Sequence, residues 1–418
     1  MEQNKFTFYP HLGSIPNDWT VVNSGAVCTK VTDGTHDTPT PISTGIPYIK
    51  SVHIKKGTIT FDNALFLSKE DHDIIYKRCN PEKGDLLIVN IGIGNIGECA
   101  YVNAEFEFSM KNIALLKPNP KYLDGKYLYY YYKSIKNKVV HATKTGGAQP
   151  FLSIKDLKKL KLVIPPIPEQ LKIADILSIW SKAITTTEKL ITISKQQKKS
   201  LAQQLLMGNK RLINPETNKP FESDWEEVKV NKLLTESRIT CTDNNPNNRL
   251  TVRLKLKGVE KRVVRGTESI NSTSYFTRKS GQFIYGKQNI HKGAFGIINK
   301  VLDGFQSSQD LPTFDFTSKC NSVWFYHLMS QENLYSSLES KMTGTGSKRL
   351  NPKAFLLTKV ALPVKAEQQK IASVLTTADK DIELLEAKLA HFKQEKKALM
   401  QQLLTGKRRV KVNKLEVA

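Results

Sequence analysis

The chain has 418 residues, enough for two or three domains that each bury a core, and its 63 basic against 39 acidic residues leave a formal charge of +24. That excess suits a polyanion, nucleic acid first, with a membrane surface or an acidic protein as less specific partners. The five cysteines are scattered without a C-x-x-C pair, which argues against a disulfide framework or a zinc site and fits free thiols in a reducing cytoplasm. The longest apolar runs, such as Leu86-Leu87-Ile88-Val89, are too short to span a bilayer.

In chain order, Met1-Glu2-Gln3-Asn4-Lys5 leads into no apolar segment of the kind a secretory signal needs. A tryptophan landmark follows at Ile15-Pro16-Asn17-Asp18-Trp19. Asp85-Leu86-Leu87-Ile88-Val89 and Glu98-Cys99-Ala100-Tyr101-Val102 read as short strands around a glycine-rich turn. Residues 122–136 read as a helix, ahead of Thr145-Gly146-Gly147. After Pro165-Pro166-Ile167-Pro168, a 4-3 stripe runs through Ile173, Leu177, Trp180, Ile184, Thr187, Ile191, Ser194, Lys198, Leu201 and Leu205. One residue per turn on a single stripe is a coiled-coil seam, and Gly208 closes the helix.

The same sequence of features then recurs. Residues 169–211 match residues 367–409 without a gap at an offset of 198, with 20 identities over 43 positions. Trp225 repeats the tryptophan landmark, and Thr343-Gly344-Thr345 repeats the Thr-Gly turn. Gln282-Phe283-Ile284-Tyr285 and Phe295-Gly296-Ile297-Ile298 repeat the strand pair, and residues 331–341 are the expected counterpart of the first helix. The second seam runs Ile371, Leu375, Ala378, Ile382, Leu385, Leu389, Phe392, Lys396, Leu399 and Leu403, closed by Gly406. A repeat this clean defines architecture. It predicts an α+β chain: two domains with mostly antiparallel, twisted sheets at residues 1–164 and 210–362, and two long helices at 165–209 and 363–409, with a tail at 410–418. Each helix would be roughly 60 Å long. A helix with one apolar stripe needs a partner, and intervening domains make antiparallel pairing of the two copies, about an internal pseudo-two-fold axis, the natural topology. The helices keep their length while the domains drift by an eight-residue indel, since Trp19 to Thr145 is 126 residues and Trp225 to Thr343 is 118.

Catalytic motifs fail on context. Gly92-Ile93-Gly94-Asn95-Ile96-Gly97 matches the dinucleotide fingerprint, but strand-like residues follow where a helix N-terminus is required. Gly281-Gln282-Phe283-Ile284-Tyr285-Gly286-Lys287-Gln288 nearly matches a P-loop, but Gln288 holds the magnesium-ligand position and the middle is a β-forming run. The eight histidines show no metal spacing, and no G-x-S-x-G elbow or amino-methylating tetrapeptide occurs. The chain alone is expected to be no enzyme, with no catalytic, cofactor or metal residues of its own.

Two drifting domains followed by near-identical helices resemble the specificity subunit of type I restriction–modification enzymes. Its further markers here are Asp33-Gly34-Thr35-His36-Asp37-Thr38-Pro39, Gly45-Ile46-Pro47-Tyr48-Ile49, Gly147-Ala148-Gln149-Pro150-Phe151-Leu152, Pro165-Pro166-Ile167-Pro168-Glu169-Gln170 and Leu205-Leu206-Met207-Gly208. The second copy departs at Gly346-Ser347-Lys348-Arg349-Leu350-Asn351 and at Leu362-Pro363-Val364-Lys365-Ala366-Glu367-Gln368. The resemblance implies two target recognition domains, each reading half of a bipartite, asymmetric site in double-stranded DNA. It implies helices that set the gap and dock two methyltransferase subunits carrying S-adenosylmethionine, with restriction–translocase subunits using ATP and Mg. The other reading is a stand-alone, two-headed DNA-binding coiled-coil protein.

Base reading needs Arg or Lys for guanine, Asn or Gln for adenine, and small polar side chains on loops. That selects Thr35, His36, Lys50, Asn90, Asn95, Lys144 and Gln149 in the first domain. In the second it selects Lys287, Gln288, Asn289, His291, Lys292, Lys348 and Arg349. A capped structural turn accounts equally well for Thr35 and His36. Lys210-Arg211 and Lys407-Arg408-Arg409 recur past both helices, as a solvated face or a phosphate or partner contact.

Overall fold

The structure is a computed structural model describing residues 5–92, 94–143, 151–241, 243, 245–264, 266 and 273–412. Two long helices, Ile167–Leu206 and Lys365–Leu403, lie where the stripes predict them. All twenty seam residues are buried or half-buried, Ile173, Leu177, Leu205, Ile371, Leu375 and Leu403 most deeply. No helix among the described residues is long and apolar enough to cross a membrane. The chain divides into two compact units, residues 1–188 with 388–418, and residues 189–387, so the middle of each helix is a unit boundary.

In the first unit a four-stranded antiparallel sheet has the order Cys99–Tyr101, Leu86–Val89, Ile113–Pro118, Cys28–Asp33. Leu86, Leu87, Ile88 and Val89 are all fully buried, because both faces of this strand are covered. A second sheet joins Ser109–Lys111 in parallel to Ile46–Lys50, which pairs antiparallel with Leu65–Leu67. A third pairs Thr20–Asn23 with Lys161–Ile164. Helix Gly125–Thr143, longer than its predicted span, lays Tyr127, Leu128, Tyr131 and Tyr132 into a core shared with Ile173, Leu177, Leu403 and Leu404. The domain core thus contains the start of one long helix and the end of the other.

The second unit repeats the plan. Its four-stranded sheet runs Leu234–Ser237, Thr313–Phe316, Phe283–Tyr285, Phe295–Ile297, all antiparallel. Ile239–Thr240, Tyr275–Thr277 and Gln306–Ser308 make a three-stranded sheet, and Glu226–Lys229 pairs with Lys359–Leu362. Its core closes on Leu205, Leu206, Ile371 and Leu375. The core helix of this unit is Ser322–Met329, not the expected 331–341 segment, whose residues form the short helix Glu332–Ser337 and the 3-10 turn Leu338–Lys341. Asn321 sets that start, accepting from the Trp324 amide as an N-cap.

In each unit the helix segments run antiparallel. In the first, Trp180 meets Phe392 edge to face at 5.6 Å, Lys396 donates to Ser181 at 2.6 Å, and Lys393 pairs with Glu188 at 2.7 Å. In the second, Lys195 pairs with Glu386 at 2.6 Å, and Lys198 with Asp379. Ser181 and Asp379 are repeat equivalents, as are Lys396 and Lys198 (offset 198). The same seam contact is therefore an ion pair in one unit and a bond from an ammonium to a neutral hydroxyl in the other. Lys396, lying 5.2 Å over the Tyr130 ring and given no carboxylate, is pushed down to about 8 by burial and by Lys133.

The ends of the helices are clamped. Trp19 donates its indole N–H to the buried Glu169 at 3.1 Å, and Arg409 grips the same carboxylate through Nε and Nη2, both at 2.8 Å. In the second unit Trp225 donates to the buried Glu367 at 3.0 Å, and Arg211 grips it at 2.7 and 2.8 Å. Each guanidinium also lies over its tryptophan, 5.6 Å for Arg409 and 5.8 Å for Arg211. Arg409 holds Asp18 as well, at 2.6 and 2.9 Å, and keeps that carboxyl below its usual range. Gly406 and Gly208 turn the chain back at φ +70° and +74°, which only glycine adopts freely; a Cβ on Gly406 would strike Pro16 at 2.4 Å. The basic runs past the helices thus deliver one arginine apiece to a clamp.

Arg409→Ala or Arg211→Ala leaves a buried carboxylate without its cation and should cost about 3–5 kcal/mol in urea melts of the full chain. A cost under about 1 kcal/mol would show that the clamp holds nothing. Lys396→Met should stabilise the chain at pH 7 by about 1 kcal/mol after allowance for solvent screening. In the parent, the native amine loses its proton above about 8 while the unfolded amine keeps its own to 10.5, so parental stability rises across that window. The gap between variant and parent should therefore shrink from pH 8 to 10.5; a constant gap would count against a desolvated amine.

Candidate nucleic-acid interface

Strand Cys28–Asp33 ends in a turn whose tightness comes from Gly34: a Cβ there would lie 2.0 Å from the Met110 carbonyl oxygen. Thr35 is buried, and its Oγ1 accepts from the Asp37 amide at 3.0 Å, a side-chain-closed turn. His36 is half exposed, with Nε2 3.0 Å from Asp33 and Nδ1 3.2 Å from Asn112. Asp33, itself buried, also binds Arg78 at 2.6 Å. Thr35 bridges to Lys111, and Lys111 registers with Lys50 in the parallel pair. The Asn95 amide donates to the Ser51 carbonyl at 2.9 Å. Thr35, His36, Lys50 and Asn95 thereby form one edge where the strands Cys28–Asp33, Ile46–Lys50 and Ser109–Lys111 end, with two lysines side by side, an arrangement that favours an anionic partner.

Asn90 stands apart from them. It is buried, its carbonyl accepts from the Leu152 amide at 2.8 Å, and its side-chain oxygen finds no partner among the described residues. Lys144 and Gln149, with the Thr145-Gly146-Gly147 turn, lie outside the described residues. Arg78, Lys111 and Asn112 join the edge although no sequence pattern singled them out. Arg78 ends helix Lys69–Arg78 far along the chain, and only the fold brings it to Asp33.

In the second unit, the turn leaving strand Phe283–Tyr285 carries Lys287 to His291. The Lys287 amide donates to the Asp310 carbonyl at 3.0 Å, and its carbonyl accepts from Leu350 at 2.8 Å. Arg349 pairs with the Asp310 carboxylate at 3.3 Å, from a turn closed between Thr343 and Arg349 that also exposes Lys348. Lys287 and Arg349 therefore meet at Asp310, with Lys348 exposed on the same turn as Arg349. Gln288 is exposed beside Lys287, while Asn289 and Lys292 spend their carbonyls on the far side of the turn, Lys292 accepting from Lys255 at 2.9 Å. The Nδ1 of His291 is buried with no partner among the described residues.

The described glycine turns of both nucleotide-like motifs are tied into strand pairings rather than opening a helix. Gly97 donates to Val89 at 2.8 Å and Glu98 to Asn95 at 3.0 Å, which closes a β-turn between strands. Phe283, Ile284 and Tyr285 are fully buried strand residues, and Gly286 donates to Ala294 at 2.9 Å. Burial pushes the Cys28, Cys79, Cys99 and Cys320 thiols up to about 12, so they are neutral at pH 7 and poor nucleophiles. Among the described residues no cluster of His, Cys, Asp and Glu could hold a metal ion.

A model of the type I restriction modification DNA specificity domain matches the chain twice, at residues 16–195 and 223–394. Among similar curated proteins, the MjaVIII type I restriction enzyme specificity subunit of Methanocaldococcus jannaschii is 24% identical over 87% of this chain and 86% of its own. The putative MjaX specificity subunit of the same organism is 25% identical over 96% of each. The fold is similar to the crystal structure of a type I restriction–modification S subunit from M. genitalium, with TM-score 0.58, 15% identity, and 96% and 98% of the two chains covered. It is also similar to a chain from a structure on complex assembly and conformational transition of the type I R-M system, with TM-score 0.52, 13% identity, and 94% and 99% covered. With two matched domains that together span most of its length, the chain belongs to the type I restriction–modification DNA specificity family.

Proposed function

We propose that this chain selects the DNA site for a type I complex, each unit reading one half of a bipartite, asymmetric sequence in double-stranded DNA. The observation that carries this reading is the same frame in both units. Each domain core is closed by the start of one long helix and the end of the other, through the same Trp–Glu–Arg clamp. Domains held on an invariant frame can change their turns, and so their target, without disturbing what the frame docks.

The chemistry at the two edges fits that task. Arg349 and Lys50 can donate to guanine O6 and N7, and Gln288 and Asn95 can pair with adenine, while other cations, Lys287 among them, fix register on phosphates. The helices act as spacer and as docking surface for two methyltransferase subunits. Each unit supports this with an apolar cavity at an equivalent place. One, of about 700 Å³, is lined by Tyr131, Ile135, Val163 and Leu404; the other, of about 630 Å³, by Leu206, Leu328, Leu334 and Val360. A recurring apolar recess suits two copies of one partner. Methylation then takes place on the methyltransferase with its S-adenosylmethionine. Cleavage belongs to restriction subunits supplied with ATP and Mg, and the chain itself catalyses nothing in the cytoplasmic complex.

Expressed with its partners, the chain should co-purify with two methyltransferase subunits, and methylome sequencing should return a bipartite motif. A partner-free chain that binds a specific sequence would instead favour the stand-alone reading. Deleting one heptad from both long helices removes about 10 Å, so the gap between half-sites should shorten by about three base pairs. Altered half-sites across an unaltered gap would refute the spacer role. The isolated chain should show no heat of binding with millimolar ATP or NAD.

A further inference from the structure

Arg278 is almost completely buried, 1% exposed, in the second unit. Its Nε donates to Ser307 Oγ at 2.7 Å, Nη1 to the Ser237 carbonyl at 3.0 Å and Thr313 Oγ1 at 2.7 Å, and Nη2 to the Leu311 carbonyl at 3.1 Å. Every acceptor is neutral. Four of the five guanidinium N–H bonds are used, and among the described residues no carboxylate lies within ion-pair distance. The nearby Glu236 is bonded to Arg238 Nε at 2.9 Å. Burial brings Arg278 down to about 10, which still leaves it charged at pH 7. A buried cation with no anion of its own is costly, and neutral hydrogen bonds relieve only part of that cost.

A cavity of about 70 Å³ opens beside it, lined by Glu236, Ser237, Arg238, Arg278, Lys287 and Gln309. That is several times the roughly 10–15 Å³ a single water requires. Three cations face one carboxylate, and Asp310, whose carbonyl accepts from the Lys287 amide, is paired with Arg349. Lys287 belongs to the turn assigned above to DNA reading.

We propose that this cavity seats a phosphate oxyanion, which in the DNA-bound complex is a backbone phosphate. The proposal rests on the DNA-reading role and adds a fixed anchor that positions the second unit without specifying bases. Arg278 supplies charge from below at no cost in flexibility, while Arg238 and Lys287 close on the phosphate from the rim.

The test uses Arg238→Gln and Lys287→Gln, which leave the four bonds of Arg278 in place; thermal melts confirm that each variant folds. Affinity of the assembled complex for its target duplex is measured by anisotropy at several KCl concentrations. Each substitution should lower the slope of log affinity against log salt by about one. In a second arm inorganic phosphate is titrated onto the full chain without DNA, and should raise the parent's melting temperature but not the variants'. Phosphate protection with unchanged slopes would assign the cavity to free phosphate and overturn the DNA anchor. Unchanged slopes with no protection would overturn the oxyanion site altogether. A parent complex that ignores sequence, yet shows phosphate protection, would fail the DNA-reading role while upholding the site.

Discussion

The fold depends on two buried carboxylates. Glu169 and Glu367 each open a long helix, and each is satisfied by an indole N–H from its own domain and a guanidinium from just past the other helix. Glu169 ties three pieces of chain distant in sequence, and Glu367 ties its helix to the segment that carries both Arg211 and Trp225; none can leave without exposing a charge to an apolar interior. The residue after each glutamate extends the tie. Gln170 accepts from the Asp124 amide and donates to the Tyr122 and Pro165 carbonyls; Gln368 does the same with Asn321, Lys319 and Pro363. Glu-Gln is thus a two-residue device that orients a domain on its helix.

Between the clamps the seam is looser in its chemistry. Lys198 faces Asp379, with His327 at 4.0 Å pushed down to about 4 by burial and Lys198. At the equivalent place Lys396 faces Ser181, whose hydroxyl is 2.8 Å from Tyr130. Position and geometry persist while the charge pattern changes. A polar group at one seam position is enough to penalise a shifted register, because a slipped lysine would lie among apolar neighbours.

Much of the frame was legible in sequence because a strict period has one structural meaning. The 4-3 stripe placed both helices to within a few residues, and the short apolar runs at 86–89 and 283–285 became central strands. The clamps were not legible. Arg211 and Arg409 read as ends of basic runs, and nothing local says that a glycine turn folds each onto a glutamate some 156 or 240 residues away. The helix Ser322–Met329 was missed for a related reason: SVWFYHLM is nearly uniformly apolar, so it carries no helical stripe to read. Among the candidate readers, residue type picked out exposed turn positions and buried scaffolding alike. Thr35 closes a turn and Asn90 lies inside, whereas Arg78 and Lys111 reach the edge through pairings that only the folded sheets create.

The division between frame and reader has a thermodynamic side. The frame concentrates its polar groups where each has a partner, so substitutions in the turns leave the clamps untouched. The second unit's turns instead hold groups that find no match among the described residues: the His291 nitrogen and the positive charge of Arg278. Unsatisfied groups are a cost in the free chain and a gain once a partner supplies the missing donor or anion. On the proposed reading, the cost of Arg278 in the free chain is recovered when an anion arrives, and the fold tolerates that cost because the clamps hold each domain from its other end.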